Sequence, residues 1–504
     1  MLTRRTFFGI ASAAAASAFA RESPRWSAAK RPRLKVGVIS DVHLLTANDR
    51  HWHSGEMFEK ALRYFDGKCV DAVLLCGDIA DCGHVAELEL AADIWYRVFP
   101  NGQRRDGACV RQLFHLGDHD LGGFAHKYYW AEECSRSPDE LNHVIVHEDV
   151  AAIWKRLFGE KWEPIQVKNV KGYTFVLAHH PLNVAENTIA GTKIPGTEIP
   201  DLAKALANVK VDPSKPFFYS QHRPIYGTLP DFPQTSLDAD PNYRALAAYP
   251  NVLTFFGHTH RNCADELCLW QGAFTSVCVP STNYCTTRMG RENSFAVGRS
   301  RVCQMRRTEV HETHQLLYME VFSDRIMLSR RDLTNDAAMG AAWIIPLPSP
   351  DGTCSATARK GRSVAPKFPA GAKAEVSYGI GMDRDKNRRP EVVVTFPPAR
   401  AVDHHPRAFD YEVSVTVKGQ VKMVRRVFST RPCWCDERDV VPVRCVFALS
   451  ELPPDQQISF TVTPFNSYGV AGMPLSPVFW KQRRPYAAAF MGAERCRNGR
   501  LRRV

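Results

Sequence analysis

Five short apolar runs in this sequence end in side chains that can hold a cation. The run VGVIS leads into Asp41-Val42-His43, AVLLC into Gly77-Asp78-Ile79-Ala80-Asp81, and RQLFHL into Gly117-Asp118-His119-Asp120. PFFYSQ leads into His222-Arg223-Pro224, and VLTFF into Gly257-His258-Thr259-His260. Taken singly, an Asp-x-His or a Gly-Asp is most simply a capped turn, and a His-x-His a surface loop. Together they bring carboxylates that would repel one another unless cations neutralised them. Mixed oxygen and imidazole donors suit Mn, Fe or Zn better than Ca. A tetrahedral ion takes about four ligands, so this inventory suffices for two ions sharing a bridging carboxylate.

The elements that must carry these residues follow from the apolar pattern. Between residues 33 and 335 the β-rich runs alternate with stretches such as 55–66 and 84–98, whose apolar positions recur at helical spacing. Such alternation predicts an α/β domain with largely buried strands, and in open α/β sheets ligands gather at the carboxyl ends of the strands. All five motifs sit at such ends. The stretch 316–333 reads as a closing β-hairpin with Ser323-Asp324 at its turn.

The order D-x-H, G-D-x-x-D, G-N-H-[DE], an isolated His and G-H-x-H resembles the signature of the calcineurin-like metallophosphoesterases. The resemblance implies a four-layer αββα sandwich with the site at the sheet edge. It implies that Asp41, His43, Asp78 and His260 hold one ion, and that Asp78 bridges to a second held by Asp118, His222 and His258. The cofactors would be two divalent or mixed-valence transition metal ions, Mn, Fe or Zn. His119 takes the place of the family's catalytic histidine, with Asp120 orienting it and Asp81 supporting the site or capping its turn. The implied reaction is hydrolysis of phosphate mono- or diesters by metal-activated hydroxide, with His119 as general acid. Purple acid phosphatases carry a tyrosine ligand where this chain has Asp81. His179 and His180 in VLAHHPLN compete for the fourth motif, but His222 follows its own strand and lies closer to His258. Asp118 stands where the family has asparagine: the same skeleton with an added negative charge.

Residues 1–20 read as a signal peptide. Paired Arg4 and Arg5, an apolar run and Ala18-Phe19-Ala20 resemble a bacterial twin-arginine (Tat) signal, which implies a periplasmic or secreted protein. The net charge is +12, but residues 481–504 carry eight Lys or Arg against one Glu, so the surplus is a basic tail and no nucleic-acid surface is expected. No later apolar run is long enough to span a membrane. Fifteen cysteines leave at least one unpaired in a monomer, and several lie in apolar runs as small core residues. Residues 346–384 are Pro-, Gly- and Ser-rich and read as a linker. Residues 385–480 read as a small all-β sandwich, and FTVTPFNSYGVAG resembles the end of a fibronectin type III domain. Such a domain could contact envelope or glycan. A rival reading is therefore a non-catalytic cell-envelope binding protein with a structural or degenerate metal site.

Overall fold

The computed structural model describes residues 31–46, 53–121, 145, 148–181, 199–230, 240–293, 313–383, 387–400, 408–429 and 441–481. Residues 1–20, read above as a signal peptide, and the tail beyond residue 481 lie outside the described residues.

In the first region the strands are β1 (Leu34–Ile39), β2 (Ala72–Cys76), β3 (Arg111–His115), β4 (Ile165–Val170), β5 (Tyr173–Ala178), β6 (Phe217–Ser220), β7 (Val252–Phe256), β8 (Leu269–Gln271) and β9 (Thr275–Cys278). They are followed by β10 (Gln315–Val321), β11 (Arg325–Asp332), β12 (Ala337–Ala338) and β13 (Trp343–Pro346). Five helices are interspersed among the described residues: α1 (Ser54–Lys68), α2 (Val85–Val98), α3 (Val150–Phe158), α4 (Leu202–Asn208) and α5 (Pro241–Ala247). One sheet runs β12-β11-β10-β1-β2-β3, with β13 on β11; the other runs β4-β5-β6-β7-β9-β8. In the first sheet β1, β2 and β3 are parallel. In the second, β5, β6, β7 and β9 are parallel. The expected closing hairpin is present as the antiparallel pair β10–β11.

Strand alternation explains how the core divides. Val36, Val38 and Leu74 of the first sheet share one apolar cluster with Phe175, Leu177 and Leu253 of the second. The opposite-facing Ile39, Val73 and Leu75 pack with Phe58 and Phe65 of α1 and Trp95 of α2. On the second sheet, Val176 and Phe217 pack with Leu202 and Leu206 of α4 and Leu246 of α5. At about 25 cal/mol per Å² of apolar surface, each fully buried Phe or Leu contributes roughly 1.5–3 kcal/mol. These clusters hold rigid the strands whose ends carry the polar residues. Among the described residues no helix is long and apolar enough to cross a membrane.

Among the described residues the C-terminal region is all-β beyond one α-helix. The stretch 346–384 is more structured than a linker: it holds α6 (Ala356–Arg362) and β14 (Glu375–Met382). β14 pairs with β15; Val376, Tyr378, Ile380 and Met382 alternate along it, but Gly379, Gly381 and the Pro- and Gly-rich approach weaken its strand signal in sequence. It is followed by β15 (Arg388–Phe396), β16 (Asp410–Val417), β17 (Gln420–Phe428), β18 (Val443–Ala448), β19 (Gln457–Phe465) and β20 (Val478–Lys481). These form a sheet β14-β15-β18 and a sheet β17-β16-β19-β20 around one core of valines and aromatics. The region meets the first along a polar seam. Glu292 N donates to Arg426 O at 2.9 Å, Phe428 N donates to Asn293 Oδ1 at 2.8 Å, and Arg288 Nη2 donates to Ser467 O at 2.9 Å.

Candidate metal centre

Five parallel strands from the two sheets point their carboxyl ends at one place. β1 delivers Asp41 and His43, β2 Asp78, β3 Asp118, β6 His222, and β7 His258 and His260. The loops are stitched together by backbone bonds: Asp41 N donates to Gly77 O at 3.1 Å, Val42 N to Asp78 O at 2.8 Å, and Gly257 N to His222 O at 2.9 Å. Two motif glycines are required by this closeness. Gly77 has φ 83°, and a Cβ there would meet the His222 ring; a Cβ on Gly117 would overlap Asp78 Oδ1.

The ligand residues bend the backbone to converge. Asp41 (φ 51°), His43 (49°), Asp78 (52°), His258 (64°) and His260 (51°) all occupy the left-handed region. Such conformations cost roughly 1–3 kcal/mol each in non-glycine residues and persist where the surroundings over-determine them. Of the thirteen non-glycine residues with positive φ among the described residues, these five lie together at the converging strand ends.

The side chains form contiguous groups: Asp78, Asp118, His222 and His258; Asp41, His43 and His260; and His43, Asp81 and His119. Three imidazoles have one ring nitrogen committed to another acceptor. His222 Nδ1 donates to Cys76 O (2.7 Å), His260 Nδ1 to Tyr284 O (3.1 Å), and His43 Nδ1 to the Asp81 carboxylate (2.8 Å). In the neutral ring the remaining Nε2 is then a bare lone pair. His222 Nε2 faces Asp78 Oδ2 at 2.9 Å and Asp118 Oδ1 at 3.0 Å, yet is buried without a well-directed hydrogen bond. His260 Nε2 faces Asp41 Oδ1 at 3.2 Å and His43 Nε2 at 3.0 Å. Lone pairs and carboxylates meeting at such distances repel unless something positive lies among them. A proton can serve: burial lowers the pKa of His222, but Asp78 and Asp118 outweigh it and raise it well above the usual imidazole value. Buried Asp118 stays ionised, because the imidazoles of His258 and His222 outweigh the effect of burial and hold its carboxyl well below the ordinary range. The donor set also fits two borderline transition-metal ions, with a second partner fixing the imidazoles of His43, His222 and His260 as such sites require.

His119 sits at the edge of this cluster, half-buried. Its Nδ1 donates to the backbone carbonyl of Asp81 at 2.7 Å, and the Asp81 carboxylate lies 3.7 Å away. Burial would lower its pKa, but Asp78, Asp81 and Asp118 push it up to about 9. The expectation that Asp120 orients His119 does not hold. The Asp120 carboxylate turns inward, accepting from Ala80 N at 2.6 Å and Gly117 N at 2.7 Å, so it braces the two loops. Burial, reinforced by Asp78, raises its pKa to about 7.

His222 rather than His179 or His180 joins the ligand cluster. The His179 ring packs against Trp154 and Trp162, centroids 5.0 and 5.3 Å away, and its Nδ1 accepts from Leu116 N. His180 is buried beside the centre, and desolvation lowers its pKa to about 4. Two residues at the centre are not singled out as site residues by the sequence. Arg223 Nη2 reaches Asp118 Oδ2 at 3.0 Å, and the Tyr284 ring lies tilted against that of His260 with centroids 4.1 Å apart.

Residues 34–262 match the family model described as calcineurin-like phosphoesterase. No curated protein matches the chain. Among solved structures, a dimetal phosphatase from Danio rerio is 14% identical with TM-score 0.33, covering 62% of this chain and 99% of its own. Purple acid phosphatase PPD1 from yellow lupin (Lupinus luteus) is 13% identical with TM-score 0.38, covering 62% of this chain and 53% of its own. Zinc-complexed Vps29 from Entamoeba histolytica is 10% identical with TM-score 0.26, covering 62% of this chain and 99% of its own. Likeness this slight has no bearing on chemistry.

Proposed function

We propose, from the calcineurin-like metallophosphoesterase domain at residues 34–262, that the chain is an exported, dinuclear metal-dependent hydrolase of phosphate mono- or diesters. The observation that carries this reading is the convergence of imidazole Nε2 atoms on buried carboxylates around His222 and His260. Asp41, His43, Asp78 and His260 would hold one ion, and Asp78, Asp118, His222 and His258 the other. Two such ions would supply Lewis acidity toward the phosphoryl oxygens and a nucleophile at neutral pH. The protein's own part is to fix the ligands, close off water from below, and present a proton. With Nδ1 committed to Asp81 O, His119 has Nε2 for a proton passed to the leaving oxygen.

A four-layer αββα arrangement over residues 33–335 belongs to this reading, supported by the separate cores between the sheets and under each helical layer. For the C-terminal region we favour a fibronectin type III-like sandwich, supported by paired antiparallel sheets of three and four strands. Its first strand then begins at Glu375 rather than near 385. Contact with envelope or glycan is a role such a module could serve. Export by the twin-arginine route is supported by paired Arg4 and Arg5 ahead of an apolar run that ends in Ala18-Phe19-Ala20.

The test is metal analysis of the purified full-length protein and of His222→Ala, with turnover of generic phosphate mono- and diesters. Two ions per chain, loss of metal in the variant and hydrolysis by the wild type are expected. Absence of turnover with every divalent metal tried would favour the non-catalytic binding protein instead.

A further inference from the structure

Asp118 differs from the asparagine of the family signature by a charge, and its two oxygens meet different surroundings. Oδ1 faces the ligand cluster, 3.0 Å from His222 Nε2 and 3.1 Å from His258 Nδ1. Oδ2 receives Nη2 of Arg223 at 3.0 Å. Both partners are buried, Asp118 at 4% and Arg223 at 9% exposure. Arg223 follows His222 directly, so the chain segment that brings the imidazole to Oδ1 also brings the guanidinium to Oδ2. An asparagine would offer one oxygen to the cluster and an amide donor on its other side. Here a carboxylate oxygen and a donated N–H take those two places.

We infer that Arg223 is a positioning residue that makes Asp118 act as an asparagine toward the second cation: its guanidinium cancels the added charge and occupies Oδ2, leaving Oδ1 as the ligand atom. This rests on the dinuclear reading proposed above. Arginine suits the task because its planar fork stays charged at any working pH. The pair then removes the cost expected of Asp118 alone, a more tightly held but less acidic cation.

The consequence is a pair of opposite effects. Arg223→Gln leaves an uncompensated carboxylate at the cluster, so the second ion binds on the order of tenfold more tightly and turnover falls. Asp118→Asn leaves the guanidinium facing both an amide donor and the cation, so that ion binds on the order of tenfold more weakly. The double variant Asp118→Asn/Arg223→Gln restores the balance and returns affinity to within about threefold of wild type. Arg223→Lys keeps the charge and stays within the same range. A destabilising substitution with no role in charge balance would weaken binding in every variant.

Calorimetric titration of the chelated full-length protein with Mn2+ measures site number and second-site affinity in all five proteins. Opposite shifts in the single variants, cancelling in the double, support the inference. Two wild-type sites with single variants shifting the same way, or with losses that add, overturn it while the dinuclear reading stands. Fewer than two wild-type sites overturn that reading and the inference with it. Should Arg223→Gln not fold, Asp118→Asn and Arg223→Lys decide: affinity unchanged in the former, or lowered tenfold in the latter, overturns the inference.

Discussion

His119 hangs from the backbone of Asp81, its Nδ1 2.7 Å from the carbonyl oxygen, while the carboxylate of the same residue holds His43 Nδ1 at 2.8 Å. One residue thus orients both a candidate ligand and the candidate acid, through different atoms. The two functions should separate on mutation. His119→Ala is expected to lower kcat by about 10²–10⁴-fold with metal content unchanged. Asp81→Ala keeps the carbonyl but frees His43, and should lower metal affinity about 10–100-fold. Metal analysis alongside kcat checks both; a metal loss in His119→Ala equal to that in Asp81→Ala would remove the distinction.

Asp78 reaches ligand residues of both groups. Its Oδ2 lies 2.9 Å from His222 Nε2 and 3.8 Å from His43 Nε2, and its Oδ1 accepts from His119 N at 2.9 Å. Asp78→Ala is therefore expected to lose both ions together, where His258→Ala should lose one. Inductively coupled plasma measurement of metal per chain gives the answer. Two ions retained by Asp78→Ala would rule out a bridging role.

Without metal the centre should be sensitive to alkali. The neighbouring carboxylates raise His119 to about 9 against burial, and raise His222 as well. A histidine whose folded pKa exceeds its unfolded value of about 6.5 stabilises the fold fully below that value. That contribution disappears as pH rises through the folded value. The chelated protein should lose on the order of 2 kcal/mol between about pH 6.5 and 9. Metal-loaded protein should be flatter there, because cations replace the protons. Urea unfolding with and without chelator at both pH values measures the difference, and parallel curves would count against it.

The strands that carry the ligands were legible because parallel strands buried on both faces read as unbroken apolar runs. AVLLC and VLTFF are such runs, and the residue types after them narrowed the chemistry. Contacts between remote loops left no such trace. Arg223 reads as the neighbour of a ligand, and only the fold places it against Asp118, 105 residues earlier. Asp120 misled for the opposite reason: adjacency to His119 suggested a pair, whereas the turn directs its carboxylate to Gly117 and Ala80. β14 escaped although Val376, Tyr378, Ile380 and Met382 alternate, because Gly379 and Gly381 lie between them and the chain leading into it is rich in Pro and Gly.

The seam between the two regions turns on Asp265, buried near the end of the family match. Arg288 donates to it through Nε at 2.6 Å and through Nη2, which also donates to Ser467 O at 2.9 Å across the seam. Burial would raise the Asp265 pKa, but Arg288 and Arg261 outweigh it and hold the carboxyl below its ordinary value. Removing one partner of a buried ion pair strands the other, so Arg288→Ala should cost about 3–5 kcal/mol. A carboxylate with a lowered folded pKa stabilises the fold above its unfolded value and ceases to as pH falls through the folded one. Wild type should therefore weaken below about pH 4, and Arg288→Ala should lose that part of its acid dependence. The centre should be spared, because the carbonyl of Tyr284 meets His260 Nδ1 at 3.1 Å through contacts that do not include Arg288. The folded variant is then expected to keep wild-type kcat at 25 °C while unfolding at lower urea. A stability loss under about 1 kcal/mol, typical of an exposed pair, would show that the seam is solvated rather than buried.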